Sequence, residues 1–527
     1  MSSTVWAAIA VAVSGAGLAL AGLRWLRVAQ REHYLAGSAS LFARRWWSAR
    51  PWSLAMFAAG TLAGVASAWV VPAGLVAGAV GLFGPPGLGV RGRTSHLAWT
   101  PRLRRLAATG GALALAVTVA TAVVAGEVAG RASAGLHGAA TALGLLAVLA
   151  PALLDMAMWL VRPLEARLLR PFVQRASQRL RSLSPRIVAI TGSYGKTTTK
   201  GYVAHLLSGR WSVVATPASF NNTAGLARAV NEHLAPGTQV FVAEMGTYGP
   251  GEIAAMCAWA CPEVSVITAI GPVHLERMRS LERIAEAKAE IFERASTAVV
   301  NVDYPLLEQL ADKLEAEGKT VWRCSAEAGR GDVSVTRDGD KLRARAAHPG
   351  GAIDLLFAAA PETEPGNVAC AIAAALSLGA TAELVEARLG TLPGAPHRRS
   401  PQQGSGGFTV IDDTYNSNPA GASAALELLG RVAAAGARRV LVTPGMVELG
   451  AVQARENARF AARAGAVATE MIVVGRTNAA ALLAGARAAG LPARQVGDRR
   501  AAVAWVSANL GTGDAVLYEN DLPDHYP

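Results

Sequence analysis

A short loop rich in glycine and hydroxyl side chains is the segment of this chain best suited to chemistry. The loop, Gly192–Thr198, follows an apolar run at Ile187–Ile190 that predicts a buried strand, and it precedes a predicted helix. Glycines let successive backbone N–H groups surround a phosphate at a helix N-terminus. Lys196 is spaced to reach the β- and γ-phosphates of a nucleotide, and Thr197 to hold Mg²⁺. The loop therefore predicts nucleotide binding. An ordinary strand-to-helix turn is the alternative, because the spacing is shorter than the common G-x-x-x-x-G-K-[ST].

Three further polar residues follow predicted strands. Glu244 comes directly after the strand Val240–Ala243, where a Mg²⁺ ligand is needed beside a phosphate loop. His274 follows the strand Val264–Thr268, and Lys288 lies on the next predicted helix. The plain alternatives are a solvated strand-end acid, a structural histidine and a surface lysine on an acidic helix.

Charge is distributed unevenly along the chain. In residues 1–186, nineteen arginines against four acids and no lysine leave a net charge of +15; the whole chain carries +12, so the remainder carries −3. This distribution argues against nucleic-acid binding and for membrane topology. The four cysteines form no C-x-x-C pair and predict small buried residues in a reducing cytoplasm rather than a zinc site.

Four apolar stretches precede the loop, at residues 5–23, 52–83, 106–126 and 136–161. A membrane-spanning helix needs roughly 20 residues, so residues 1–161 predict an α-helical transmembrane region. The second stretch is broken at Pro72 and predicts a helical hairpin, which either crosses the bilayer or re-enters it.

Arginine clusters flank these stretches at residues 24–50, 91–105 and 162–181. Such clusters favour the cytoplasmic side. We therefore expect a multi-pass protein of the inner (cytoplasmic) membrane whose nucleotide-binding part lies in the cytoplasm. Residues 162–185 predict an amphipathic basic linker helix on the inner membrane surface, with a solvated linker helix as the alternative.

From residue 186 onward, short β-rich apolar runs alternate with helical segments. This alternation is typical of a mostly parallel sheet with helices on both faces. It predicts a P-loop-type central ATP-binding domain at residues 186–392. After a link rich in Gly, Pro, Ser and Gln, further runs near residues 408, 439, 471 and 515 predict a Rossmann-like C-terminal domain at residues 393–527.

Five segments, in order, resemble the Mur ligase family, and its MurF type in particular. They read TGSYGKTTTK, TPASFNNTAG, EMGTYGPGEI, TAIGPVHLERMRSLERIAEAKAEIF and IDDTYNSNP, within roughly residues 186–520. The resemblance implies an ATP-dependent, ADP-forming amide ligase that works through an acyl phosphate. It also implies roles for individual residues: Gly192, Ser193, Gly195, Lys196, Thr197, Thr198, Asn367, Arg398, Asp413 and Tyr415 in nucleotide binding; Thr197, Glu244, His274 and Lys288 in holding two Mg²⁺ ions, with Lys288 carbamylated; and Lys196, His274, Lys288 and Asn222 in catalysis, with Asn221 beside the acceptor.

The chain departs from the family pattern in its N-terminal region, in its adenine segment and at two places in its C-terminal domain. Membrane helices stand where the family has a soluble UDP-binding domain. The adenine segment H-N-x-x-N reads Gly366–Cys370 and keeps only one asparagine, and the motif Gly-Asp-Met-x-Glu-Leu-Gly is altered at Pro444–Gly450, with Asn457 in place of a downstream histidine. The family's basic C-terminal segment is replaced by the acidic residues 518–527, which predict repulsion of a carboxylate and hence an amine substrate that is neutral or positive there.

These observations predict a membrane-anchored ligase that joins an amine to the carboxylate of a small or lipid-linked, peptidoglycan-related cell-envelope precursor. The expected partners are ATP, Mg²⁺, the bilayer, and membrane proteins or further copies of the chain, without nucleic acid. The alternatives are a poly-γ-glutamate-synthase-like ligase, a non-catalytic nucleotide-sensing membrane scaffold, and a membrane P-loop ATPase with another purpose.

Overall fold

The structure, a computed structural model, describes residues 3–70, 72–92, 96–130, 132–217, 220–347, 352–394, 401–404, 406–414, 418–522 and 525–526. The chain forms two compact units. Unit 1 comprises Met1–Leu168 with Leu522–Pro527, and unit 2 comprises Leu169–Asp521. The chain thus leaves unit 1 once and returns to it with its last residues.

Unit 1 is helical. Its helices are α1 (Ser3–Arg31), α2 (Ser38–Ser48), α3 (Pro51–Ala66), α4 (Ala73–Phe83), α5 (Pro101–Ala129), α6 (Ala132–Val148) and the first part of α7 (Ala150–Leu183). By length and hydropathy, Thr4–Arg31 and Pro101–Ala129 are each able to cross a bilayer, and Ser133–Val148 with Ala150–Leu183, bent by 82°, adds a third candidate.

Helix α5 presents apolar side chains to the outside of the unit. Leu115, Val124 and Val128 are 66, 60 and 84% exposed. An apolar surface of this kind is typical of an interaction with lipid or with another protein. The prediction of long apolar helices in this region is confirmed.

The stretch at residues 52–83 forms the two short helices α3 and α4. They pack closely, since a Cβ on Gly60 would lie 2.9 Å from the Val80 side chain. Arg24 of α1 donates to the carbonyls of Gly81 at 2.7 Å and Gly84 at 3.3 Å. A cation therefore satisfies carbonyl groups at the C-terminal end of α4.

The end of the chain also packs within unit 1. The His525 side chain is 1% exposed, and its Nε2 lies 3.0 Å from Oε1 of Glu32. Trp46 Nε1 donates to the His525 carbonyl at 2.8 Å, and the Phe42 ring lies 4.7 Å from the His525 ring. The last described residues are therefore anchored among α1 and α2.

Unit 2 begins within α7, which runs unbroken through the predicted linker. Ala176 and Leu180 of this helix are buried in a unit 2 core, and Arg179 donates to the Leu234 carbonyl at 2.9 Å. The basic helix is thereby fixed to the domain that follows it.

The first sheet of unit 2 and its helices are β1 (Arg186–Thr191), α8 (Lys196–Leu207), β2 (Val213–Ala215), α9 (Thr223–His233), β3 (Val240–Glu244), α10 (Glu252–Ala260), β4 (Val264–Ile267), α11 (Leu275–Met278), α12 (Leu281–Ala289), β5 (Thr297–Asn301), α13 (Pro305–Ala316), β6 (Thr320–Ser325), β7 (Val333–Asp338), β8 (Lys341–Ala346), β9 (Ile353–Ala358), α14 (Pro365–Ser377) and α15 (Ala382–Leu389). In the described part of the chain the strand order is β2-β3-β1-β4-β5-β6-β7-β8-β9. In this order, neighbouring strands from β2 through β1 to β7 pair in parallel. The pairs β7–β8 and β8–β9 are antiparallel.

Both faces of this sheet are covered. Val188 and Ile190 of β1 face one core, which contains α14, whereas Ile187 and Ala189 face the other. This alternation follows from the two-residue period of a strand. The predicted, mostly parallel sheet is confirmed.

The second sheet of unit 2 is formed by β10 (Pro401–Gln403), β11 (Thr409–Asp413), α16 (Pro419–Val432), β12 (Arg439–Thr443), α17 (Gln453–Ala464), β13 (Glu470–Val474), α18 (Ala479–Ala488), β14 (Ala493–Val496), α19 (Arg499–Asn509) and β15 (Ala515–Glu519). The strand order in the described residues is β10-β11-β15-β12-β13-β14, with only β10 antiparallel. This is the predicted second α/β fold.

Candidate active site

The phosphate loop joins β1 to α8 and depends on two glycines. Gly192 has φ +154° and Gly195 has φ +76°. A Cβ on Gly192 would lie 2.0 Å from Thr268 Oγ1, and one on Gly195 would lie 2.2 Å from Asn367 Oδ1. Glycine is required at both positions by backbone conformation and by space.

The loop that follows β4 holds this segment in place. Ser193 N donates to the Ala269 carbonyl at 2.8 Å, and the Ser193 hydroxyl pairs with the backbone of Gly271 at 3.0 and 3.1 Å. The Thr268 hydroxyl donates to the Tyr194 carbonyl. A preformed cradle therefore lies at the N-terminus of α8, where helix N–H groups favour an anion.

Lys196 lies over this cradle. Its Nζ donates to the Gly192 carbonyl at 2.7 Å. The ammonium therefore lies at the loop that would bind a phosphate. Thr198, predicted to bind nucleotide as well, is half-buried in the first turn of α8.

Glu244 lies at the carboxyl end of β3 and accepts three hydrogen bonds. Thr197 Oγ1 at 2.9 Å and Lys200 Nζ at 3.0 Å donate to Oε2, and Asn221 Nδ2 at 3.1 Å donates to Oε1. Glu244 is 2% exposed and Lys200 6%. The three donors satisfy the hydrogen-bonding capacity of a carboxylate that is buried away from water. Thr197 and Glu244 together offer the oxygen ligands that Mg²⁺ prefers.

Lys288 is buried, at 3% exposure, on α12. The alternative of a surface lysine is therefore wrong. Burial lowers the pKa of Lys288 well below its ordinary value, and the nearby positive charge of Lys196 lowers it further. Both effects favour the neutral amine.

His274 has a partner from the second sheet. Its Nδ1 is hydrogen-bonded to Oε2 of Glu448. The Tyr248 ring packs edge-on against the imidazole at 4.9 Å. Of the predicted metal ligands, Thr197 is therefore hydrogen-bonded to Glu244, whereas His274 is hydrogen-bonded to Glu448. Within the described residues no group of three or more His, Cys, Asp or Glu side chains is arranged to hold a metal ion; the predicted ligand set depends instead on a hydroxyl and a lysine.

The remaining predicted residues lie in different settings. Asn222 caps α9, its Oδ1 accepting from Gly225 N at 2.9 Å, and Asn367 lies against Gly195 at the start of α14. Asp413 pairs in register with Glu519 at the carboxyl ends of β11 and β15. Arg398 and Tyr415 lie outside the described residues.

Charges near the end of the chain differ from the sequence-based expectation. Glu519 is fully buried; burial raises its pKa to about 8, with the Thr443 hydroxyl acting in the opposite direction and the Asp413 charge adding to the rise. Asp521 pairs with Arg499 at 2.8 Å, and His525 lies in unit 1. The described residues of this segment therefore do not supply the predicted repulsion of a substrate carboxylate.

Lys200, Glu448 and Tyr194 were given no role by the sequence alone. Lys200 and Glu448 contact predicted metal ligands. The Tyr194 hydroxyl is buried without a hydrogen-bond partner among the described residues, where a Cβ on Gly271 would lie 2.2 Å from it. For Lys200, the available sequence signal was a lysine one turn after Lys196 in the predicted helix. No sequence signal indicated the contact of Glu448 with a distant loop.

Comparison with known proteins explains this arrangement. The family profile described as the Mur ligase middle domain matches residues 190–375, and that of the Mur ligase glutamate ligase domain matches residues 397–518. The UDP-N-acetylmuramoyl-tripeptide–D-alanyl-D-alanine ligase of Mycobacterium leprae is 33% identical over 369 residues, which cover 63% of this chain and 70% of that protein. The chain belongs to the Mur ligase family.

Solved structures of Mur ligases share the fold. MurF from Acinetobacter baumannii matches with a TM-score of 0.59 at 24% identity, covering 66% of this chain and 77% of that one. MurF from Thermotoga maritima in complex with ADP matches with a TM-score of 0.57 at 24% identity, covering 67% and 80%. Mur ligases use ATP and Mg²⁺. Family membership makes the protein an ATP-dependent amide ligase and leaves the non-catalytic scaffold without support.

Proposed function

We propose that this Mur ligase forms an amide bond between an amine and the carboxylate of a cell-envelope precursor presented at the membrane, with conversion of ATP to ADP. The main support for this proposal is that one chain combines the site formed by Lys196, Thr197 and Glu244 with a unit of long apolar helices. The Mycobacterium leprae relative acts, by its name, on a UDP-linked muramoyl peptide. Here the matched profiles begin at residue 190, after the helical unit.

The chemistry required of the site is charge neutralisation. A carboxylate is a poor electrophile, so the γ-phosphate of ATP is transferred to it, and the amine then displaces phosphate from the acyl phosphate. The triphosphate and the carboxylate repel each other. The Lys196 ammonium and the N-terminus of α8 offset that repulsion with fixed positive charge. Thr197 and Glu244 fit Mg²⁺, which supplies further positive charge when bound.

Lys288 completes the site in this proposal as a carbamate. A neutral lysine amine adds to carbon dioxide and loses a proton, which gives a carbamate whose oxygen atoms form a ligand of negative charge. Burial of Lys288 favours the neutral amine that this addition needs. The carbamate would then face the charge of Lys196, which stabilises an anion there as strongly as it disfavours an ammonium.

The membrane arrangement is part of the same proposal. We place residues 1–161 in the membrane, with 162–185 as the linker, 186–392 as the ATP-binding domain and 393–527 as the C-terminal domain. The arginine clusters at 24–50, 91–105 and 162–181 favour the cytoplasmic side for the ligase domains. ATP is available on that side, and the tether would keep the site close to lipid-linked substrates.

Substrate assays with the full chain in detergent test the proposal. Lipid-linked muramoyl peptide, soluble UDP-linked muramoyl peptide and glutamate are each supplied with ATP, Mg²⁺ and candidate amines, and ADP and product mass are followed. We expect turnover with the lipid-linked acceptor and none in Lys196→Ala. Turnover confined to the soluble acceptor would refute the membrane-presented substrate, and lengthening glutamate chains would favour the poly-γ-glutamate-synthase-like alternative.

A further inference from the structure

Two loops from different sheets of unit 2 meet at His274 and Glu448. His274 lies between β4 and α11, and Glu448 lies between β12 and α17. Besides the side-chain hydrogen bond, Glu276 N donates to the Glu448 carbonyl at 3.3 Å. A Cβ on Gly450 would lie 3.3 Å from Glu276 N. The contact is therefore close and involves both backbone and side chains.

Both residues adopt a backbone conformation that glycine would adopt more easily. His274 has φ +54° and Glu448 has φ +63°. Residues with a Cβ are uncommon in this left-handed region. Here two such residues are hydrogen-bonded to each other through their side chains.

The hydrogen bond selects one form of the imidazole. With a carboxylate as acceptor, Nδ1 carries the proton, and the lone pair then resides on Nε2. Histidines that bind metals commonly donate a hydrogen bond from their other ring N–H to a carboxylate in this way. The edge-on contact with Tyr248 restricts the ring further.

We propose that Glu448 is a positioning residue, which holds His274 with Nε2 available to a divalent cation and thereby makes the cation site depend on the docking of the second sheet against the first. The proposal rests on the proposed function only in treating His274 as a ligand of the cation that accompanies ATP. It gives Glu448, within the altered motif Pro444–Gly450, a role.

Manganese binding to the full chain tests this without catalysis. Mn²⁺, with a non-hydrolysable ATP analogue, reports its affinity and its ligands by electron paramagnetic resonance. We expect nitrogen coupling in the wild type and its absence in His274→Ala. Glu448→Ala should lose the coupling and weaken Mn²⁺ binding about tenfold or more, as loss of an outer partner of a metal-bound histidine does. Glu448→Gln, whose amide oxygen still accepts from Nδ1, should keep the coupling.

The controls separate positioning from folding and from activity. Glu317→Gln, at the exposed residue that follows α13, should leave the spectrum unchanged. Thermal unfolding of each variant establishes that it is folded. Wild-type coupling and affinity in folded Glu448→Ala would overturn the proposal, as would a wild type without nitrogen coupling or equal losses in the alanine and glutamine variants. Coupling in a wild type that turns over no ATP would refute the proposed function and leave the role of Glu448 standing.

Discussion

Replacing Gly195 by alanine should damage nucleotide binding through two separable effects. The residue has φ +76°, which costs a residue with a Cβ roughly 1–2 kcal/mol. The new Cβ would lie 2.2 Å from Asn367 Oδ1, so the Asn367 side chain must move. Forcing a side chain away from its rotamer adds about 1 kcal/mol. The loop would relax in the free protein, and restoring it on binding would cost about 2–3 kcal/mol, or about 30- to 140-fold in Kd.

Equilibrium binding of ATP to the full chain measures this loss. Asn367→Ala removes the collision but leaves the strained φ. Gly195→Ala should therefore reduce the affinity for ATP less in the Asn367→Ala background than in the wild type. Gly201→Ala is the matched control, because it lies within α8 and its Cβ would meet nothing within 4 Å. It should bind ATP as the wild type does. Undiminished affinity in Gly195→Ala would refute the conclusion that this loop must keep its conformation to hold phosphate.

Three further predictions concern buried ionisable groups. Lys200→Met should destabilise unit 2 by about 3 kcal/mol, since it leaves Glu244 buried without its cation, whereas Lys313→Met on the surface of α13 should change the unfolding temperature little; equal unfolding temperatures would contradict this. Glu519 has a pKa of about 8 in the folded protein, above that of an unfolded glutamate. The stability that the protonated side chain contributes is therefore present at pH 4 and is lost as pH rises toward 8. Glu519→Gln should therefore match the wild type in unfolding temperature near pH 4 and exceed it at pH 8.5; a gap independent of pH would contradict the raised pKa. Lys288→Ala should lose ligase activity and recover part of it with short carboxylic acids, while Lys313→Ala should remain active without them; a fully active Lys288→Ala would exclude the carbamate.

Local patterns were sufficient to predict much of the fold. The apolar runs at β1, β3, β4 and β5 identified a parallel sheet, because strands buried on both faces are continuously apolar. The strands β7 to β9 were not predicted. In β8, buried residues alternate with exposed or half-buried ones, so the run carries polar residues throughout and has little overall apolar character.

Charge predicted from the sequence was a poorer guide to the structure than apolar pattern was. The acidic residues near the end of the chain predicted repulsion of a carboxylate. The structure instead buries Glu519 and pairs Asp521 with Arg499. The charge of a carboxyl group depends on its burial and its partners, and neither is encoded in the neighbouring residues.

Local sequence specifies the phosphate loop, the strands that present Glu244 and His274, and the separation of an apolar, arginine-rich region from a ligase region. These features depend on neighbours within a few residues, and local backbone preference and hydrophobic period specify them. Three contacts depend on tertiary packing instead: Lys200 pairs with Glu244, Lys288 is buried near Lys196, and Glu448 is hydrogen-bonded to His274. Those partners are separated by 44, 92 and 174 positions. The first two contacts exist only once the domain around the first sheet has folded, and the third exists only once the two sheets have packed.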